Sequence, residues 1–467
     1  MTGRALDALR LLLLVILAWQ PHAAAATELA EAWRAATRSD REYALARAAH
    51  SAAQPRREQA AALWRPSVGL VGSVGLATNE SEARGARFSA PAFGRSTGVG
   101  FDTSVTDGTS SRWALAATQP LYAPRRRAEQ HQLSTSVDLA DLQWQSAGQS
   151  LMLRTAERYF DLALAEEAMR VYEQQRDAVQ QAATEARDRF DLGDAPITDT
   201  HEAGAHLAAL RAQVLAAESD VRIKRSMLAD TTGLPPDALA ARLPRAGSER
   251  PPRLEPLESW LDEAQTGNLG IRAQLLAVEV AKQEAAKHGR ASSVTVDLVA
   301  QVGRDRLSGS GDFGSASNAE TNRMVGIQLS MPLFTGGYRS AKEEEALRLV
   351  DKAVAELERT REQVAQQVLQ AWLGLSVGVE RVRALEQALK ASLARLDATR
   401  LGHEVGERTT LELLDAQNES AASRLVLVRG RVALLMDRLR LAALVGRLDE
   451  SVLQAVDELL LSRESGR

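Results

Sequence analysis

The sequence contains no cysteine. The chain can therefore form no disulfide bond, no thiolate metal site and no cysteine nucleophile. It also has no cysteine that could be acylated to make a bacterial lipoprotein. Any hold on a membrane must come from the protein surface itself.

Clusters of chemically active side chains are also missing. The seven histidines are scattered, and His201 and His206, five residues apart, lie on different helix faces rather than at metal-ligand spacing. We therefore expect no metal site and no cofactor. No grouping of nucleophile, base and orienting residue indicates an enzyme. The formal net charge of -4 gives no basic patch for nucleic acid.

Aromatic residues make up only 4% of the chain, and Ala, Leu, Glu, Gln and Arg are common. This composition favours long helices over a thick globular core. All fourteen prolines lie at or before Pro332. The proline-free tracts 125–195 and 333–467 therefore each predict an unusually long helix, at about 123–192 and at about 335–403. Each would be roughly 100 Å long at about 1.5 Å per residue.

Apolar residues in these tracts recur at the alternating three and four spacing of a coiled-coil seam. The first seam comprises Val137, Ala140, Trp144, Ala147 and Leu151. The second seam comprises Leu411, Leu414, Asn418, Ala421, Leu425, Val428, Val432, Leu435, Leu439 and Ala442. Both predict helices packed lengthwise against others, and a helical bundle with no special function explains them equally well.

The N-terminal segment reads as a signal peptide, residues 1–26. Arg4 and Arg10 make the start positive, residues 11–19 are apolar, and residues 23–26 are small. The mature chain is expected to begin near Thr27. An uncleaved membrane helix is the alternative, but the apolar run is about half of the roughly 20 residues needed to span a bilayer.

Four segments alternate between apolar and polar residues, and they predict strands at about 66–77, 112–121, 293–304 and 323–331. In the third segment, for example, the apolar residues Val296 and Leu298 flank Asp297. The polar stretches 78–111 and 307–317 are interpreted as loops. Strands of this kind are typical of an outer-membrane barrel, although a soluble β-sandwich alternates too.

The features of the first half recur in the second at nearly fixed offsets. Val68 precedes Val296 by 228 positions, whereas Trp113 precedes Val325 by 212, so the first hairpin loop is sixteen residues longer. The sequence therefore predicts an internally duplicated helix-strand-strand-helix-helix unit. The first copy spans 27–253, the second spans 254–448, and 449–467 form a C-terminal tail. Two copies give only four strands, and a membrane tolerates no open sheet edge, so several chains must close one barrel.

Short motifs in the second copy resemble the TolC family of outer-membrane efflux and secretion channels. They are Pro-Leu-Phe-Thr-Gly-Gly at 332–337, and Gly-Glu-Arg-Thr at 406–409 leading into Leu-Glu-Leu-Leu-Asp-Ala at 411–416. The resemblance covers nearly all of the mature chain. It implies a mixed fold: a homotrimer with one twelve-stranded membrane β-barrel, continued by a long α-helical barrel as a periplasmic coiled-coil tunnel.

The resemblance also implies function and partners. Such channels are the outer-membrane exit of tripartite export systems, and they work with a periplasmic membrane-fusion adaptor and an inner-membrane ABC or RND transporter. Their barrel lies among outer-membrane lipid. Because the chain lacks a lipidation cysteine, it resembles the unlipidated branch, which favours type I protein (toxin) secretion over multidrug efflux.

Two groups of residues are candidates for a periplasmic gate. Glu412 and Asp415 share a helix face beside the second seam, and in a trimer they would form an acidic ring that favours cations. This pair is expected in the second copy alone. An acidic pair on a solvated helix N-terminus is the alternative. The resemblance further implies a latch between Asp199 and Arg408, with His403 at the position of the family's tyrosine.

A soluble periplasmic adaptor or coiled-coil scaffold is the alternative from another class. It would share the signal peptide and the seams. However, it should contain one helical hairpin and a compact β-domain rather than two hairpins of lipid-facing strands.

Overall fold

A computed structural model describes residues 28–92, 94–194, 196–244, 254–311 and 314–461. The predicted signal peptide lies outside these residues. Ten α-helices, one short 3₁₀ helix (Pro236–Ala238) and four strands occur in the described part of the chain. In chain order the α-helices and strands are α1 (Leu29–Ser39), α2 (Arg41–Ala53), α3 (Pro55–Ala62), β1 (Ser67–Ala90), β2 (Gly94–Tyr122), α4 (Pro124–Asp191), α5 (Ile197–Thr232), α6 (Leu257–Gly267), α7 (Leu269–Gly289), β3 (Thr295–Gly311), β4 (Gly314–Ser330), α8 (Tyr338–Glu404), α9 (Thr410–Leu444) and α10 (Glu450–Leu461).

The chain divides into two compact units. The sheet unit comprises Ala53–Asp138 and Leu276–Ala355, and the helical unit comprises the remainder. Within the sheet unit, the four strands form one antiparallel sheet in the order β1-β2-β3-β4. Strands β1 and β4 are its two edges.

The register of the sheet places the alternating apolar residues of all four strands on one face. Leu70 lies opposite Leu115, Leu115 opposite Val302, and Leu298 opposite Ile327. The apolar face consists of Val68, Leu70, Val74, Leu76, Trp113, Leu115, Ala117, Val296, Leu298, Ala300, Val302, Val325, Ile327 and Leu329. Its edge residues are open to the surroundings in the single chain, and Leu76 is 86% exposed. The other face carries mainly small and polar residues, among them Ser73, Thr118 and Gln301.

The strands extend well beyond the predicted ones, so the loops predicted at 78–111 and 307–317 are wrong. Strand β1 continues to Ala90 and β2 begins at Gly94, while β3 continues to Gly311 and β4 begins at Gly314. These segments are polar on both faces and therefore lack the apolar alternation on which the prediction relied. Backbone pairing in a hairpin needs no apolar face. Register shifts after Ala77 interrupt the longer hairpin.

The long helices predicted at about 123–192 and 335–403 correspond to α4 and α8. Each is followed by a tight turn and a second long helix, α5 or α9. The turns contain Gly193 with φ 84° and Gly406 with φ 78°. This left-handed conformation is one that glycine adopts without a steric penalty. The amide of Asp194 donates to the carbonyl of Arg189, and the amide of Glu407 donates to the carbonyl of Gly402, both at 2.8 Å. The two turns therefore share one backbone geometry.

The core of the helical unit includes the last described helix. Leu453 and Val456 of α10 are fully buried against a cluster that contains Leu29, Phe160 and Leu439. The predicted C-terminal tail, 449–467, is therefore helical over Glu450–Leu461. This helix was not predicted because it is short and its burial depends on residues far away in the chain.

A buried carboxylate joins the two ends of the described chain. The backbone N–H groups of Leu29 and Ala30 donate to the two carboxylate oxygens of Asp457, at 2.7 and 2.8 Å. The first N–H groups of a helix have no partner within the helix, and Asp457 satisfies two of them. Burial raises the pKa of Asp457, although the two N–H bonds act in the opposite direction.

Pairs of equivalent contacts occur in the two halves. Asp40 accepts the amide of Tyr43 at 2.7 Å, and 228 positions later Asn268 accepts the amide of Ile271 at 3.0 Å. Gly233 leaves no space for a Cβ beside Ser39, and Gly446 leaves none beside Gly267. Ser39 and Gly267 are again 228 positions apart.

Candidate functional site

Most of the predicted gate residues lie in the turn between α8 and α9 or on the helix ends beside it. Helix α9 begins with a capping box: the amide of Glu412 donates to Oγ1 of Thr409 at 3.2 Å, and the amide of Thr409 donates to Oε2 of Glu412 at 2.9 Å. This arrangement satisfies two otherwise unpaired backbone groups. It also fixes where the Glu412 carboxylate lies.

Arg408 adds an ion pair to this cap. Its guanidinium lies 2.7 Å from Oε1 of Glu412, while its aliphatic stem lies against Gly402 at the end of α8. The Thr409 backbone N–H and the Arg408 guanidinium together lower the pKa of Glu412. The carboxylate is therefore held in its charged form and is oriented by both helices.

Asp415 lies one turn further along α9 and is exposed. Two neighbouring residues show how this face is oriented. Leu414 is 0% exposed and packs with Val179, Leu207 and Leu210 of α4 and α5. Leu411, predicted as the first seam residue, is 38% exposed. The seam therefore begins at Leu414 in the single chain, and Glu412 and Asp415 project away from it.

Acidic residues also occur at the matching positions of the first copy, so the expectation that only the second copy carries such a pair is wrong. The offset of 213 that relates Gly193 to Gly406 also relates Asp199 to Glu412 and Glu202 to Asp415. Asp199 lies in the first turn of α5. The pattern was present in the sequence, and comparing the helix starts residue by residue would have revealed it.

The predicted latch residues are not brought together within one chain. Arg408 pairs with Glu412, and among the described residues no hydrogen bond or ion pair links Arg408 to Asp199. The Asp199 carboxylate interacts locally, 3.5 Å from the Thr198 hydroxyl. His403 is buried, and its Nε2 lies 3.3 Å from Oγ1 of Thr410. It therefore connects the end of α8 to the start of α9.

Polar contacts between α4 and α9 were not predicted. The carboxylate of Glu167, itself buried, lies 2.8 Å from the guanidinium of Arg424, and the amide of Gln175 donates to Asn418. The Glu167 carboxylate also pairs with Arg170 of the same helix, so it has two cationic partners, one on α4 and one on α9. Asn418 was the one signal in the sequence, since a polar residue at a seam position needs a partner.

Within the described ranges, no helix combines the length and apolarity needed to cross a membrane. In the same part of the chain, no cluster of three or more metal-binding side chains could hold a metal ion.

Comparisons with known proteins give a consistent result. The family model described as "Outer membrane efflux protein" matches residues 33–234 and 260–447. The chain is 24% identical to the outer membrane protein TolC of Escherichia coli over 368 residues, 77% of this chain and 74% of that protein. It is 26% identical to the proteases secretion protein PrtF of Dickeya chrysanthemi over 446 residues, 94% and 92% of the two chains.

Among solved structures, the fold is similar to that of CusC. The crystal structures of CusC concern its folding and the formation of its transmembrane channel. The TM-score is 0.72 at 15% identity, covering 90% of this chain and 92% of that chain. The outer membrane protein VceC of Vibrio cholerae gives a TM-score of 0.69 at 18% identity, covering 90% and 96%. At these identities, the likeness concerns the fold.

Proposed function

Because the chain belongs to the outer membrane efflux protein family, we propose that it is the outer-membrane exit channel of a tripartite export system. The protein is an outer-membrane protein of the TolC type. In the proposed role it conducts cargo passively from an inner-membrane transporter and a periplasmic adaptor to the outside. It performs no reaction of its own, in keeping with a family of channels.

The observation that carries this proposal is the four-stranded sheet with one continuous apolar face and two unpaired edges, β1 and β4. Exposed apolar strands with unpaired edges are unfavourable in water and in lipid alike. We propose that β4 of one copy pairs with β1 of the next, so that a homotrimer closes a twelve-stranded barrel with the apolar face toward lipid. The long helix pairs α4–α5 and α8–α9 of three copies would form the periplasmic tunnel.

Internal duplication is part of the proposal. It is supported by the two glycine turns with one backbone geometry, and by the caps of Asp40 and Asn268, 228 positions apart. One unit used twice would give each chain two hairpins of strands and two helix pairs. Three chains would then make a channel of six similar units.

Separation of membranes with unheated and heated electrophoresis tests the assembly. We expect trimers in the outer-membrane fraction that dissociate on heating. Release of the protein by osmotic shock as a soluble species would contradict the channel and favour the adaptor or scaffold alternative.

For the cargo we propose type I protein secretion, with multidrug efflux as the alternative. The similarity to a proteases secretion protein over 94% of this chain favours secretion. The similarity to TolC, and the efflux family itself, keep the alternative open. Deletion of the gene separates the two: loss of a secreted protein from the medium supports secretion, whereas increased drug sensitivity alone supports efflux.

Glu412 and Asp415 are proposed to line the periplasmic entrance, where three copies would contribute six carboxylates. This proposal is supported by their position away from the seam. It is also supported by the contacts of Glu412 with Arg408 and with the Thr409 amide at the start of α9. For the latch between Asp199 and Arg408, the pairing of Arg408 with Glu412 implies that any contact with Asp199 requires either another copy or a change of partner. If Asp199→Asn and Arg408→Gln leave the conductance of the closed channel unchanged, no such latch operates.

A further inference from the structure

The apolar face of the sheet is bordered by arginines on β3 and β4, on the side toward the hairpin tips. The uninterrupted pairing of these strands places Arg304 and Arg306 directly after Val302 on this face, and Arg323 directly before Val325. All three are exposed. We call Arg304, Arg306 and Arg323 the arginine rim.

The three residues of the arginine rim are neighbours on the sheet. Arg304 and Arg306 are two residues apart on one strand, about 6.6 Å along it. Arg304 lies opposite Thr321 and Arg323 lies opposite Val302, so Arg304 and Arg323 are diagonal neighbours, roughly 7–8 Å apart. Three like charges at these distances repel one another unless an anion lies among them.

Within the described ranges, no protein group neutralises the rim. Among the described residues, none of the three arginines forms an ion pair or a hydrogen bond. Strand β3 in this region, together with the positions opposite it on β2 and β4, carries no acidic side chain on this face. On the other face of the same strands, by contrast, Arg112 forms an ion pair with Asp305. The lack of a partner is therefore particular to the face that bears the apolar residues.

The neighbours of the rim fit a lipid headgroup. Trp113 lies opposite Arg304 on β2, and Ser111 lies opposite Arg306. Tryptophan is favoured at the boundary between hydrocarbon and headgroups. Arginine forms paired hydrogen bonds with phosphate oxygens, and hydroxyls such as those of Ser111 and Thr321 can donate to phosphate or sugar oxygens.

We propose that the arginine rim binds the phosphate groups of a phosphorylated glycolipid in the outer leaflet of the outer membrane. This inference rests on the proposed function, because it needs the apolar face to lie in the membrane. The hairpin tips lie away from the strand ends that lead to the helices, which places the rim in the external leaflet. A bound lipid would fix the height of the barrel in the membrane by its phosphates and its acyl chains together.

The test uses full-length trimers purified in detergent, with lipid A as the phosphorylated probe and dephosphorylated lipid A as its matched comparison. We expect wild-type trimers to bind lipid A more tightly than the dephosphorylated form. The variant Arg304→Gln/Arg306→Gln/Arg323→Gln should bind lipid A on the order of 100-fold more weakly, since each basic group near an anionic lipid surface contributes about a factor of five.

A control variant, Arg112→Gln/Asp305→Asn, removes a charge pair from the other face of the same strands. It should bind lipid A as the wild type does. The proposal is overturned if the wild type binds both lipids equally, if the rim variant keeps its affinity, or if the control loses as much affinity as the rim variant. It is also overturned if inorganic phosphate alone occupies the site as tightly as the lipid.

The same preparations separate this inference from the proposed function. If wild-type chains form no trimers in the outer membrane, the channel proposal fails, and the lipid site fails with it. If trimers form and conduct ions but do not distinguish the two lipids, only the lipid site is wrong. Should the rim variant not assemble, the wild-type comparison of the two lipids still decides the question.

Discussion

The two helix turns of the helical unit have the same backbone but are held by different side chains. Both contain a glycine with positive φ, and both place acidic residues at matching positions, Asp199 and Glu412. In the second turn, a capping box, an ion pair and a buried histidine tie the helices together. Helix α5 instead begins after Pro196, with no side-chain cap. The same turn geometry in the two halves of the chain is therefore stabilised by different side chains.

The largest difference in stability between the two helix starts is expected from the matching residues Leu414 and His201. Leu414 is fully buried, whereas the matching residue of the first copy, His201, is exposed. Leu414→Ala should destabilise the start of α9 by about 2–5 kcal/mol, because it leaves a cavity among α4 and α5 residues. His201→Ala should change the start of α5 by less than about 0.5 kcal/mol. Hydrogen exchange of the two helix starts measures both, and equal protection losses would contradict the asymmetry.

A smaller difference in stability is expected from the N-terminal caps of α9 and α5. Thr409→Ala removes the side-chain acceptor of the capping box and should cost about 0.5–2 kcal/mol at the start of α9. Thr198→Ala, on an exposed residue of the first turn of α5, should cost less than about 0.5 kcal/mol. Exchange rates of the first-turn amides give the comparison. If Thr198→Ala costs as much as Thr409→Ala, the capping box is not what distinguishes the turns.

The acidic residues test which copy lines the entrance. Glu412→Gln/Asp415→Asn should lower the preference for cations by on the order of a few-fold in single-channel recordings. The matched variant Asp199→Asn/Glu202→Gln should leave ion selectivity close to that of the wild type. A reversed result would assign the entrance to the first copy.

The smallest effect is a dependence on pH. The pKa of Glu412 is lowered in the folded chain, so its stabilising contribution is complete above its ordinary pKa of 4.5 and is lost as the pH falls through the lowered value. Amides at the start of α9 should therefore exchange faster relative to those of α5 in acid below about pH 4.5. Glu412→Gln should abolish this difference. If the variant keeps the same acid response, another group is responsible.

Much of the fold follows from local patterns. The proline-free tracts predicted α4 and α8, and the period-two alternation predicted which strand residues share a face, because both are properties of neighbouring residues. The resemblance to the TolC family is confirmed by the family match. The polar ends of the strands and helix α10 were not predicted. The polar strand ends pair across their own hairpins without an apolar alternation to mark them, whereas the burial of α10 depends on residues far away in the chain.

The site shows the same limit. The spacing of Arg408 and Glu412 is that of an ordinary helix ion pair, whereas the latch between Arg408 and Asp199 was implied by the resemblance to the TolC family and stays a prediction. The loop entropy that a distant contact must overcome favours the neighbour in the single chain. Likewise, the arginine rim becomes visible only when the register places residues of two strands side by side.

The hydrogen bonds between Asp457 and the start of α1 determine when the helical unit can complete its folding. Leu29 and Asp457 are 428 residues apart, so almost the whole polypeptide must cross the inner membrane before the first helix gains its final acceptor. Folding of the helical unit therefore finishes after synthesis and export rather than during them. A chain truncated before Asp457 would contain the residues of every strand and of both helix pairs, but it would lack the acceptor of the Leu29 and Ala30 N–H groups and the core residue Leu460.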